Sequence, residues 1–282
     1  MTGAAASSAG SAGGHVGPAG GAGPCCGAEG ERLAGITGPV PRLMRGRWRS
    51  GGFRARIVDA SRSGVLLSVN LAAQALPTPH DSGQTGIGKH PVTWPVAVCD
   101  PGPKRRGHPQ PNGLAGDLVC TTEHHGGTDQ AVYAYAREDL DWWERELGYE
   151  LLAGQFGENL TTQGLDLTGT LVGERWRIGG TVVLQATSPR IPCATFAHRM
   201  GEPKWVKRFT ARGAAGTYLR VVVPGEIRAG DRIEVIRRPR HTVTIGRAFR
   251  ALTTEAELLP GLLQAGDDLP AEERAAVLRR IG

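Results

Sequence analysis

The chain has 282 residues, 42 of them glycine, few aromatics and a net charge of +6. That length permits one large domain or one domain with an appendage, and no apolar run approaches the roughly 18 residues a membrane span requires. The charge is concentrated in residues 1–64, where eight arginines face three acidic residues; the remainder is near neutral and offers nucleic acid little electrostatic footprint.

Residues 1–64 read as a leader, Gly/Ala/Ser/Pro-rich and then Arg-rich. The segment is too poor in large apolar groups to bury a core, so disorder is expected. It lacks the basic start and continuous apolar stretch of a secretory signal, and Met44 is an alternative start. The five cysteines, Cys25, Cys26, Cys99, Cys120 and Cys193, are odd in number and irregular in spacing. No zinc-ligand or C-x-x-C spacing appears, which points to a reducing, cytoplasmic compartment.

From Val65 the texture changes. GVLLSVNLA and TWPVAVCD read as short strands, separated by a polar Gly-rich loop that carries Lys89. Two short strands follow around an HHGG turn. REDLDWWERELG has helical spacing and ends at Gly148, a C-cap. LLAGQFGENLTTQGLD reads as loop. A hairpin through Gly179-Gly180 comes next, then helical stretches over 194–200 and 203–212, then strands TYLRVVVPG and AGDRIEVIRR. About eight short strands with few helices favour a β-barrel with helical insertions over 65–239. Residues 240–282 hold three short helical segments, a small all-α C-terminal domain. Arginines there are balanced by acids, which argues against a DNA-binding module.

Several positions could carry chemistry. Cys193 follows Pro192 at a strand-to-helix seam, three residues after Arg190. A thiolate is favoured beside a cation and a helix N-terminus, and it is the form that binds a soft metal or attacks as a nucleophile. The plain alternative is a half-buried packing cysteine. Glu158 and Asn159 lie in GQFGENLT, where bent backbone can present N–H groups to an anion or simply turn the chain. His124 and His125 precede two glycines, of which Gly126 lets a ring or ligand approach closely; adjacent side chains on a strand face opposite ways, so one histidine at most faces a site. Lys89, Ser188 and Arg190 bring cations and a hydroxyl that either serve an anionic ligand or are solvated.

These segments share an order. VLLSVN, TGIGKHPV, GDLVCTTEHHGGTDQAVYAYAREDLDWW, GQFGENLTTQGL, VGERWRIGG, LQATSPRIPC and AGDRIEVI together resemble the MOSC domain family, in particular its YiiM-like subgroup. PRHTVTIGRAF and the helices after it resemble the three-helix domain that follows the barrel there. The resemblance implies a mainly β MOSC-type barrel with helical insertions, followed by the all-α tail. It implies a pocket that holds a molybdenum cofactor, a molybdopterin, with Cys193 as both catalytic residue and protein ligand to molybdenum. Lys89, His124, His125, Gly126, Glu158, Asn159, Ser188 and Arg190 are the implied cofactor-binding set. The implied activity is reduction of N-hydroxylated small molecules, such as hydroxylaminopurines, hydroxylamines or amidoximes, to amines. The sequence shows no ferredoxin cysteine spacing and no G-x-G-x-x-G after a strand, so electrons are expected from a separate reductase. The alternative is a sulfur carrier with a persulfide on Cys193, or a cofactor-delivery protein without turnover. Neither nucleic acid nor membrane is expected as a partner.

Overall fold

The computed structural model describes residues 63–80, 83–105, 110–120 and 125–282. The leader to residue 62, with Cys25, Cys26 and Met44, and His124 lie outside the described residues.

Seven strands form a closed ring. They are β1 (Ser63–Leu71), β2 (Val132–Ala136), β3 (Leu160–Gln163), β4 (Arg175–Ile178), β5 (Val182–Ala186), β6 (Thr217–Val223) and β7 (Arg232–Arg237). The order around the ring is β1-β3-β2-β6-β5-β4-β7, and β7 closes on β1 where Ser63, Gly64 and Val65 face Glu234, Ile233 and Arg232. Closure leaves no bare edge in the ring. The short strand His90–Val92 adds outside it, antiparallel to Val69–Leu71.

Within the ring every pair is antiparallel except β2 with β3. A parallel pair requires a long crossover, and helix α1 (Arg137–Leu147) supplies it. Gly148 ends α1 in the left-handed conformation, its N–H donating to Glu144 O. The chain then returns over the barrel end through residues 149–159. Arg137 anchors this return: its guanidinium donates to Leu151 O at 2.9 Å, while Glu144 accepts from Leu151 N at 2.8 Å. The return ends in GQFGEN, which enters β3 between β1 and β2: Asn159 N donates to Tyr133 O and Asn159 O accepts from Asn70 N.

Alternation along β2 builds two cores. Val132, Ala134 and Ala136 face the barrel interior with Leu66, Trp176, Leu184 and Ile233. Tyr133 and Tyr135 point the other way, into an aromatic cluster with Trp143, Phe156, Phe196, Trp205 and Phe209. That outer cluster lies under α1, α2 (Ala194–Met200) and α3 (Trp205–Arg212). Helices α4 (Ile245–Thr253), α5 (Leu259–Leu262) and α6 (Ala271–Ile281) follow β7. Ile245, Ala248, Leu259, Leu262 and Val277 join the barrel's interior cluster, whereas Phe249 of α4 enters the aromatic one.

One reading of the sequence needs correction. LTTQ is barrel strand β3, not loop: both its neighbours, β1 and β2, hold it. The two short strands expected around HHGG are present: Leu118–Val119, which pairs with Gln110–Pro111, and β2, entered through a 3-10 turn at Thr128–Gln130. Cys99 is buried after the strand Val96–Val98, as its place in a strand pattern predicts.

Candidate functional site

A pocket opens at the barrel end where the 149–159 return, the loop around Lys89 and the β5–α2 connection converge. Lys89, His125, Gly126, Asn159, Arg190 and Cys193 all line it. Tyr133, Tyr218, Asn112, Cys120, Gln130 and Thr195 complete the polar and aromatic wall. Six of the residues singled out in the sequence therefore meet in one cavity, although Lys89 and Cys193 lie more than a hundred positions apart.

Cys193 is the N-cap of α2, in extended conformation, with a free, half-buried thiol. Two prolines precede it, Pro189 and Pro192, and neither has an N–H to donate. The backbone there is held from β6: Tyr218 N donates to Ser188 O at 2.8 Å and Thr187 N to Tyr218 O at 3.0 Å. The thiol stands on a segment with little freedom to move.

Arg190 is 6% exposed. Its guanidinium stacks on the rings of Tyr133 and Phe196, 5.1 and 4.7 Å from their centroids. One N–H donates to Phe156 O at 3.1 Å, while its buried Nε has no partner and it makes no ion pair among the described residues. A buried arginine without a carboxylate is costly unless a ligand completes it.

Lys89 is treated differently. Its ammonium pairs with buried Asp117. Burial pushes the Lys89 amine below its ordinary value, and Asp117 opposes that shift. Asp117 also accepts from Asn112, from Asn159 Nδ2 at 2.7 Å and from Ala72 N at 2.8 Å. This carboxylate is the hub of the pocket floor. No sequence signal set it apart from other acids; only its burial and convergent donors do.

Asn159 is fixed on every side. Its Oδ1 accepts from Tyr133 N at 3.1 Å, and its amide Nδ2 also donates to Asn70 O at 3.3 Å. Its backbone continues the β1 and β2 ladders, donating to Tyr133 O and accepting from Asn70 N. Gly154 and Gly157 permit the approach of this loop. Both have φ near +80°; a Cβ at 154 would meet Lys89 O at 2.5 Å, and one at 157 would meet Ile87 Cγ1 at 2.8 Å and Arg190 Nη1 at 3.3 Å.

Two expected residues are not on the wall. Glu158 is wholly buried and turns its carboxylate back into its own loop, accepting from Gly154 N at 2.6 Å, Phe156 N at 3.0 Å and Thr161 Oγ at 3.0 Å. Burial pushes its carboxyl up, against those donors. It organises the GQFGEN turn rather than meeting a ligand. Ser188 is buried beneath the wall, and its backbone, not its hydroxyl, serves the site by accepting from Tyr218 N. Conversely, Cys120 reads as a plain strand cysteine in the sequence, yet its free thiol faces the pocket, with burial pushing it above its usual value.

A soft thiol, an anion-seeking guanidinium and aromatic walls in one cavity suit an anionic, metal-bearing ligand. The comparisons agree with this architecture. The MOSC domain model matches residues 121–234. The Bacillus subtilis (strain 168) protein YflK is 32% identical over 198 residues, 70% of this chain and 84% of that protein. A Gibberella moniliformis protein named "Reductase" is 31% identical over 153 residues; the match spans 52% of this chain but only 27% of that protein. The crystal structure of YiiM from Geobacillus stearothermophilus superposes with a TM-score of 0.61 at 26% identity, over 78% of this chain and all of that one. The closed seven-stranded mixed barrel with C-terminal helices is the shared architecture, and the chain belongs to the MOSC domain family, of the YiiM-like kind.

Proposed function

We propose that this chain is a molybdenum-cofactor-dependent oxidoreductase that reduces N-hydroxylated compounds to amines. The observation that carries the reading is the pairing of Arg190, buried with its Nε unpartnered, with the free thiol of Cys193 on one pocket wall. The residues present fit the cofactor: Cys193 supplies the soft ligand, and Arg190 the charge that an anionic pterin group needs. His125, Gly126 and Asn159 would line its binding surface. Lys89 contributes less free charge than the sequence suggests, because Asp117 takes up its ammonium.

When bound, the cofactor supplies two-electron chemistry and a centre with affinity for the oxygen of an N–O bond. The chain's own residues bind, orient and enclose. Tyr133 and Phe196 keep Arg190 flat against the wall, and the Asp117 hub keeps Lys89 and Asn159 in place. Balanced turnover consumes two electrons and two protons, converting R–NHOH to R–NH2 and water. The electrons come from a separate reductase. The name of the Gibberella relative supports the redox assignment, while its unmatched length keeps that protein's full activity its own.

Metal analysis of protein made in a cofactor-synthesising host tests this reading. Wild type is expected to hold about one molybdenum per chain and Cys193→Ala far less, with the fold retained. No molybdenum in wild type, together with a persulfide on Cys193, would replace the reductase by a sulfur carrier.

A further inference from the structure

Three tyrosines rise close together beside the pocket, and their hydroxyls have different fates. Tyr133 donates to Ala215 O at 2.9 Å and Tyr135 to Ala214 O at 3.0 Å. Tyr218 is 9% exposed, and its ring packs on Tyr133 at 5.2 Å. Yet among the described residues nothing bonds its hydroxyl, and the residue lines the same pocket as Cys193 and Arg190. A phenol whose ring is packed in place on a pocket wall, with its hydroxyl uncommitted to the protein, is placed to bond a ligand in that pocket.

Its position is fixed by more than packing. The backbone N–H and C=O of Tyr218 both pair with the Thr187–Ser188 segment, which leads directly to Arg190 and Cys193. Tyr218 therefore cannot drift relative to the thiol without moving the whole β5–β6 pairing. A tyrosine phenol is protonated at neutral pH, and is a donor.

We infer that Tyr218 is a substrate-directed hydrogen-bond donor that holds the oxygen of the N-hydroxyl group beside Cys193. The inference rests on the reductase reading and adds the residue that distinguishes the N-hydroxylated substrate from its amine product. The amine has no oxygen to receive the bond. A pocket built to bond a substrate oxygen rejects the molecule that lacks it by leaving its own donor unpaired.

The test uses the molybdenum-loaded protein and Tyr218→Phe, which keeps the ring and removes only the hydroxyl. Binding of 6-hydroxylaminopurine and of adenine is measured by calorimetry without a reductant, beside metal content and thermal midpoint. Wild type is expected to prefer the N-hydroxylated base. Tyr218→Phe is expected to lose roughly tenfold in affinity for it, one hydrogen bond's worth. Adenine affinity, metal content and midpoint should be unchanged. Equal preference in both proteins would overturn the role of Tyr218 and leave the reductase reading standing. Loss of molybdenum from Tyr218→Phe would make Tyr218 a cofactor contact instead, and overturn it equally. Failure of wild type to distinguish the two bases would overturn both the inference and the substrate class beneath it.

Discussion

Cys193, Arg190, Lys89, Asn159, His125 and Gly126 are legible in the sequence because each is a polar group or glycine within a short Pro- or Gly-marked segment, and the family resemblance joins those segments into one set. Asp117 is not, because nothing nearby in the chain shows that donors from three distant segments, Ala72, Lys89 and Asn159, converge on it beside Asn112. Glu158 and Ser188 mislead for the opposite reason. Each sits among true wall residues, but in one case the side chain and in the other the backbone is turned inward. The hub leads to a prediction. Asp117→Asn leaves the Lys89 ammonium buried without an anion and sets two amides against each other at Asn159. A loss of about 3–5 kcal/mol is expected in urea denaturation, the cost of breaking a buried pair from one side. Lys89→Met in the same chain removes the stranded charge, so the double variant should be more stable than Asp117→Asn alone. A double variant that is less stable would show that the charge pair is not the main term.

Elements decide where the wall residues go, and the sequence shows them unevenly. Helix α1 is clear from its spacing and the glycine at its end. Strand β3 is not, since LTTQ is four residues long, follows a glycine-rich turn and owes its state to neighbours on both sides. The turn itself can be probed. Gly157→Ala must hold φ near +78° and press a methyl against Ile87 and the Arg190 guanidinium. About 1–3 kcal/mol of stability should be lost, with weaker cofactor retention, because Arg190 cannot yield without leaving Tyr133 and Phe196. Unchanged stability and metal content would show that the loop tolerates the methyl by moving elsewhere. Helix α1 carries a pH signature at its first turn. Burial raises the Asp139 carboxyl to about 6, although its pairing with Arg212 at 2.9 Å pulls the other way. A raised folded value means the folded state binds the extra proton. The contribution of Asp139 to stability is thus greatest below about pH 4 and falls as pH rises toward 6. The stability difference, wild type minus Asp139→Asn, should fall across that window by up to about 3 kcal/mol. A difference that stays flat or rises would contradict the assignment.

At the scale of the whole molecule, the sequence separates the C-terminal helices from the barrel at Pro239, because a break in strand pattern is visible and a shared core is not. Packing joins what the pattern divides. Helix α4 presents Ile245, Ala248 and Ala251 to the barrel's interior cluster and Phe249 to the aromatic one, where its ring lies 6.4 Å from that of Phe209. Strand β2 is split between the same two cores by its period of two. Two elements thus couple barrel, covering helices and tail, and neither core is complete without both. Unfolding should therefore be a single transition for residues 63–282. Tryptophan fluorescence reports Trp143 and Trp205 in the aromatic core and Trp176 in the barrel, while circular dichroism follows all of them together. The two signals should change at one denaturant midpoint. Phe249→Ala, which empties a fully buried ring site, should move both by the same amount, a loss of about 3–5 kcal/mol. Two separated midpoints, with Phe249→Ala shifting only one, would mean that the tail folds on its own and that α4 is a lid on the barrel, not a member of its core.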